Sequence, residues 1–382
     1  MIKVLVAGDY YPGNDKDGIF EGMQLSEIFS DFLLLLKEYD YNIVNLECPV
    51  LELQKPNELF KTGVHLYCRP YHVKALKNAG FQLVTLANNH ILDYGNEGLK
   101  STFASCNAMN IDVVGCGRNL EEAQKPLYKN IKGRILAIVN FCENEFSIAT
   151  KKQDGANPLN SVANYYQIKE ANDNSDYVLV IIHGGHEHFQ LPSPRMKELY
   201  RFFIDAGAHA VICHHAHCYS GYEIYKGFPI IYGIGNFLFN SSYEEPNTFY
   251  EGLAIGLIFE DEKVQFKQYP LIQCRENYGV RFMNNEETVK NRESIEELNK
   301  VIMDDELLEK EFIKFIEKRS RFYLSSLEPY HGRLGLALYS RRLLPSLLTR
   351  RKIAQNLGII RCESHRDILI KILDKKYNCG KV

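Results

Sequence analysis

Five short stretches of this 382-residue chain carry side chains able to hold a divalent cation. They are Asp9, Glu47, the run Asn88-Asn89-His90, His183, and the run His214-His215-Ala216-His217. Carboxylates, an amide carbonyl and imidazoles form a mixed oxygen and nitrogen set suited to Mn, Fe, Zn or Mg. One carboxylate can bridge two such ions roughly 3.5–4 Å apart, and the pair can clamp a phosphoryl group and generate hydroxide. Each residue also has an ordinary reading. An Asp after a strand is often a helix cap, Glu47 can sit at the surface, and His183 can be a satisfied buried imidazole. Two imidazoles separated by one residue, as in His215-Ala216-His217, point more directly to a metal.

The surrounding runs supply the common context. Lys3–Ala7, Ile43–Leu46, Leu83–Ala87, Asp112–Val114, Ile135–Asn140, Tyr177–His183, Ala210–Cys213 and Ile230–Ile234 read as strands, and several are apolar throughout, as expected for strands covered on both faces. Helical patterns at Pro70–Ala79, Glu97–Met109 and Pro194–Ala206 alternate with them, with Gly80 and Gly207 at C-cap positions. Phe249–Tyr269 reads as a strand pair turned at Asp261-Glu262. The fold class expected is α/β, a sandwich with one or two central sheets. Each candidate ligand then falls at the carboxyl end of a strand, where open α/β sheets bind ligands.

The order Gly8-Asp9, Asn45-Leu46-Glu47, Ala87-Asn88-Asn89-His90 with Asp93-Tyr94-Gly95, His183-Gly184-Gly185-x-Glu187, His214-His215-Ala216-His217 and Gly235-Asn236-Phe237 resembles the CapA family of capsule and poly-γ-glutamate synthesis proteins, a branch of the calcineurin-like metallophosphatases. The resemblance covers residues 2–245. It implies a metallophosphatase sandwich of mixed sheets flanked by helices, holding one or two divalent ions. Glu47 would bridge, Asn89, His183 and His215 would hold one ion, and Asp9 and His217 the other. Metal-bound hydroxide would attack a phosphate ester while His90, oriented by Asp93, protonates the leaving oxygen. Asn88, Glu187, His214 and Asn236 would brace ligands or meet substrate. The chain departs from the metallophosphatase pattern in having Asp9-Tyr10-Tyr11 where Asp-x-His is usual, and Glu where the bridging residue is usually Asp. Single-metal occupancy therefore stays open, as do two other functions: non-hydrolytic assembly of a surface polymer, and amide hydrolysis or ligation on a glutamyl polymer.

Composition sets the outer limits. With 45% hydrophobic and 24% charged residues and a net charge of -3, the chain is globular and gives no reason to expect nucleic-acid binding. The expected partner is an anionic phosphorylated or polymeric substrate. Ten scattered cysteines without a CxxC pair read as reduced, mostly buried thiols. The N-terminus lacks a signal-peptide pattern, and no run is apolar enough to span a bilayer, so a cytoplasmic location is expected. Strands cease near residue 280, giving an expected catalytic domain at 1–280 and a helical, partly basic unit at 281–382. Within it, 341–352 interleaves Arg341, Arg342, Arg350, Arg351 and Lys352 with leucines, and Pro345 interrupts any single long helix. The first expectation for this stretch is leucines packed on the main domain beneath solvated arginines. The alternative is peripheral contact with the inner face of an anionic membrane.

Overall fold

The computed structural model describes residues 1–13, 19–52, 56–61, 63–260, 263–325, 327–330, 332–361, 369 and 373. Two compact units emerge, Met1–Phe312 and Ile313–Val382. The first contains strands β1 Ile2–Tyr11, β2 Tyr41–Leu46, β3 Leu83–Thr85, β4 Asp112–Val114, β5 Cys116–Gly117, β6 Leu127–Ile131, β7 Arg134–Cys142, β8 Gly155–Ala156, β9 Tyr177–His183, β10 Ala210–His214, β11 Tyr222–Tyr225, β12 Phe228–Ile231, β13 Asn236–Phe239, β14 Glu251–Glu260, β15 Lys263–Gln273 and β16 Val280–Phe282.

Most of them build two mixed sheets. One runs β16-β15-β14-β1-β2-β3-β4, with β13 also pairing β1. The other runs β11-β12-β10-β9-β7-β6. The period-two alternation of strand side chains assigns the layers. Val4 and Val6 of β1 share one cluster with Leu179 and Ile181 of β9 and Ile212 of β10, so the sheets stack on each other. Leu5 and Ala7 point the other way, into a cluster with Phe29, Phe32, Leu76 and Leu99 from the helices. Val178, Val180 and Ile182 likewise meet Ile168, Tyr200 and Phe203 of helices Ser161–Asp173 and Pro194–Asp205. Strands covered on both faces have no use for polar side chains except at their ends, which explains the apolar runs. Each fully buried aliphatic contributes about 1.5–3 kcal/mol, enough in sum to offset several buried polar groups at one rim.

The expected mixed α/β architecture is present, with corrections of detail. Asp9 lies within β1, not after it, because the strand continues to Tyr11. The strand pair is β14 and β15, while the turn read at Asp261-Glu262 lies outside the described residues. The division expected at 280/281 falls instead at Phe312. Helix Asn285–Met303 buries Asn291, Ile295 and Ile302, and its Asn299 Oδ1 accepts from the Tyr222 amide at 2.7 Å. Its charge and the end of the strands near residue 280 make this helix look separate in the sequence. In the second unit, helices Gly332–Ser340 and Arg350–Arg361 flank the non-helical segment that holds Pro345. The eight described cysteines are free, six of them buried. No helix among the described residues is long and apolar enough to cross a membrane.

Candidate metal centre

The centre is built at the ends of parallel strands from both sheets. A bulge in β1 at Ala7/Asp9 shifts the side chains that follow, so that Leu5, Ala7 and Tyr10 reach the same helix-side cluster. Asp9 is thereby turned towards the rim. Its neighbour Gly8 permits this, because a Cβ there would lie 2.1 Å from the Gly235 carbonyl oxygen. From Asp9 onward β1 pairs in parallel with β13, a short strand that the sequence reading missed.

Asp9 is fully buried and already well supplied with donors. Its Oδ1 accepts from the Asn45 amide at 2.8 Å and from His214 Nδ1 at 3.0 Å. Its Oδ2 accepts from the His215 backbone N–H at 3.1 Å. Burial pushes the carboxyl up, but the His214 hydrogen bond and the charges of His214, His183 and His217 outweigh it and hold Asp9 well below the usual range. A carboxylate offers about four acceptor positions, so Asp9 retains one for a cation.

Glu47 is the opposite case. It is fully buried, and neither carboxylate oxygen has a hydrogen-bond partner among the described residues. Burial pushes its carboxyl well above the usual range, and the charges of Asp9 and Glu187 push it further. Ionising a buried carboxyl that has no partner costs several kcal/mol. A cation between Glu47 and the surrounding donors removes that penalty.

The donors are in place on both sides of Glu47. His183 Nε2 lies 3.0 Å from Asn89 Oδ1, 3.1 Å from His215 Nδ1 and 3.5 Å from Glu47 Oε1. Ligands about 2.0–2.2 Å from one ion sit roughly 2.8–3.6 Å from each other, which matches these separations. On the other side His217 Nε2 is 3.8 Å from Glu47 Oε1, and His217 Nδ1 is 3.8 Å from Asp9 Oδ2. Glu47, His183 and His215 thus form one group that can hold an ion, and Asp9, Glu47 and His217 a second. Burial lowers the pKa values of His183 and His217, which favours the neutral imidazole that binds metal.

Backbone strain gathers at the same loop. His215 has φ +93° and His217 φ +53°, left-handed conformations that side chains other than glycine adopt at a cost. They are held there by specific bonds. His217 Nδ1 donates to Asn236 Oδ1 at 2.9 Å, and the Asn236 amide donates to the Phe249 carbonyl. That fixes the His217 tautomer and leaves Nε2 free. His214 Nδ1 donates to Asp9, so His214 braces a carboxylate.

His90 and Asp93 stand beside this cluster. His90 Nδ1 is 2.7 Å from Asp93 Oδ2, and Asp93 also accepts from the Leu66 amide at 2.6 Å. A helix-cap role for Asp93 does not apply, since Tyr94 is the N-cap of helix Gly95–Ala108 and Asp93 instead orients a histidine. Asn88 ties its loop to β2 through a bond to the Leu46 carbonyl at 2.8 Å. Glu187 is exposed at the rim. Burial raises its carboxyl, but the imidazoles of His215, His217, His188 and His90 hold it below the ordinary value.

Three residues to which the sequence assigns no role take part in the site. Asn45, two positions before Glu47, joins Asp9 to His183. Its polarity inside an apolar strand was the available signal. Lys61, almost fully buried, pairs with Asp93 and lies 3.2 Å from His90 Nδ1. It comes from a long loop, where nothing local marks it. Glu143 accepts from the Gly185 amide at 2.9 Å and from Arg195 at 2.6 Å, which braces the His183 loop. His186 and His188 are partly buried. The His188 ring is tilted against that of His217, with centroids 6.4 Å apart. The Tyr11 ring, at the position of the missing first-strand histidine, packs on Phe239 with ring centroids 5.0 Å apart.

Residues 3–241 match the family model described as bacterial capsule synthesis protein PGA_cap. The chain is 34% identical over 249 residues to the capsule biosynthesis protein CapA of Bacillus anthracis, covering 63% of this chain and 61% of that protein. It is 32% identical over 246 residues to the PGA biosynthesis protein CapA of Bacillus subtilis (strain 168), covering 64% of each. It is also 29% identical over 180 residues to a probable polyglutamine synthesis accessory protein of Mycobacterium tuberculosis, covering 44% and 47%. The match therefore spans less than two thirds of each relative.

Proposed function

Because this chain belongs to the PGA_cap family of bacterial capsule synthesis proteins, we propose that it serves capsule or exopolysaccharide biosynthesis as a metal-dependent phosphoesterase. The observation that carries this reading is the buried, unpartnered carboxylate of Glu47 set between two groups of ligand atoms. Asn89, His183 and His215 would hold one divalent ion, Asp9 and His217 the other, and Glu47 both. Such ions polarise a phosphoryl group and lower the pKa of water. The protein's own residues do the rest. Asp93 engages His90 at Nδ1 and so directs the opposite ring nitrogen outward, where it can give a proton to a leaving oxygen. Glu187 at the rim is available to accept a hydrogen bond from a hydroxyl or amide of the substrate.

The test is turnover of aryl phosphate monoesters and diesters by the Mn-loaded protein. His90→Ala should lower kcat by about 10²–10⁴ while leaving metal content unchanged. If no ester in a broad panel is turned over, the reading fails. The second reading then leads: a non-hydrolytic assembly factor for poly-γ-glutamate or polysaccharide, or an amide hydrolase or ligase on a glutamyl polymer. The specific observation favouring it is Tyr11, which packs on Phe239 where a second-metal histidine is usual.

A further inference from the structure

We propose that the segment 332–361 of the second unit is a docking surface for an anionic lipid bilayer. The inference is independent of any phosphoesterase activity.

The charge distribution comes first. Residues 332–361 contain seven arginines and lysines and no Asp or Glu, within a chain whose net charge is -3. Aliphatic side chains lie among these cations and are left uncovered. Leu334 is 74% exposed, Leu343 66% and Leu347 53%. Of the side chains described in this segment only Tyr339 is buried. Single exposed aliphatics are ordinary, but a continuous basic stretch carrying many of them calls for a partner.

Helix Arg350–Arg361 makes the chemistry of that partner specific. Ile353, Leu357 and Ile360 recur at helical spacing on one face and are 48%, 40% and 51% exposed. Arg350, Arg351 and Lys352 occupy the first turn, which has no acidic residue. Cations there oppose the helix dipole, so the helix is poorly matched to water alone. Headgroup phosphates relieve that repulsion, and the acyl boundary takes the isoleucine and leucine stripe. A nucleic acid would meet the cations but leave the aliphatics wet. Pro345, outside any helix, sets helices Gly332–Ser340 and Arg350–Arg361 as two short pieces, a form suited to lying in an interface and too short to span one.

The experiment is flotation of the full chain with phosphatidylcholine vesicles, with and without phosphatidylglycerol. Two triple variants are compared: Arg350→Gln with Arg351→Gln and Lys352→Gln, and Ile353→Gln with Leu357→Gln and Ile360→Gln. These side chains are exposed, so circular dichroism and Tm should match the parent. Binding should require phosphatidylglycerol, and each variant should bind at least about tenfold more weakly. Failure to float with anionic vesicles overturns the proposal. So does loss of a dimer in the aliphatic variant by sedimentation, which would assign the face to a second copy of the chain. Retained vesicle binding in both variants also overturns it.

Discussion

His183 Nε2 and His215 Nδ1 lie 3.1 Å apart, although one ring comes from the end of β9 and the other from the loop after β10. Such a contact is attractive only if a proton or a cation lies between the two nitrogens. Asn89 Oδ1, 3.0 Å from the same His183 nitrogen, adds a third donor atom to the point of convergence.

Replacing His183 or Asn89 by Ala should therefore remove about one bound divalent ion per chain, measured by elemental analysis after dialysis against Mn or Zn. Unchanged metal content in both variants would rule out this ligand set.

Glu47→Gln separates stability from metal binding. With its carboxyl pushed well above the ordinary range by burial, Glu47 without a cation resembles a neutral group, and Gln keeps its shape. The metal-free variant should melt at or slightly above the parent. The parent should gain about 2.7 kcal/mol from an ion at a hundred times its Kd, and the variant should lose most of that gain. Thermal melts with Mn and with chelator decide it; an equal metal-induced shift would remove Glu47 from the centre.

Asp93→Asn and Lys61→Met test the support of His90. Each should lower kcat on an aryl phosphate by about 10–100-fold, with little change in KM or metal content. A KM effect alone would mean that Lys61 binds substrate and does not position the histidine.

Glu287 gives a pH signature remote from the centre. The Arg281 fork, at 2.7 and 2.9 Å, holds its carboxyl down to about 2 from an ordinary 4.5. A lowered folded-state pKa stabilises fully above 4.5 and fades as pH falls from there to about 2. Glu287→Gln should cost about 1 kcal/mol near neutrality, since the pair is partly exposed. The Tm gap to the parent should close on acidification through that window, and a constant gap would exclude this origin.

How much was legible follows from the physics of each feature. The strands could be read because a two-sided covered sheet demands continuous apolar runs, as in Tyr177–His183, which matches β9 end to end. Helix Pro70–Ala79 was equally clear from its first-turn proline and Gly80, which takes φ +117° at the C-cap. Short β13 was not, since four residues leave no usable period and pairing with β1 depends on Gly8 having no side chain. The domain division was misplaced because charge on the outer face of Asn285–Met303 hides its buried Ile295 and Ile302.

By itself the sequence determined which residue types stand at the strand ends, and hence that Asp9, Glu47, Asn89, His183, His215 and His217 are candidate ligands. Strand direction is local information, so it survives in one dimension. Only the tertiary structure decided how they share one site: which atoms face one another across two stacked sheets, that neither Glu47 oxygen has a hydrogen-bond partner among the described residues while Asp9 has three, and that Asn45 and Lys61 complete the surroundings. Burial and pairing are set by segments far apart in the chain, and no local pattern encodes them.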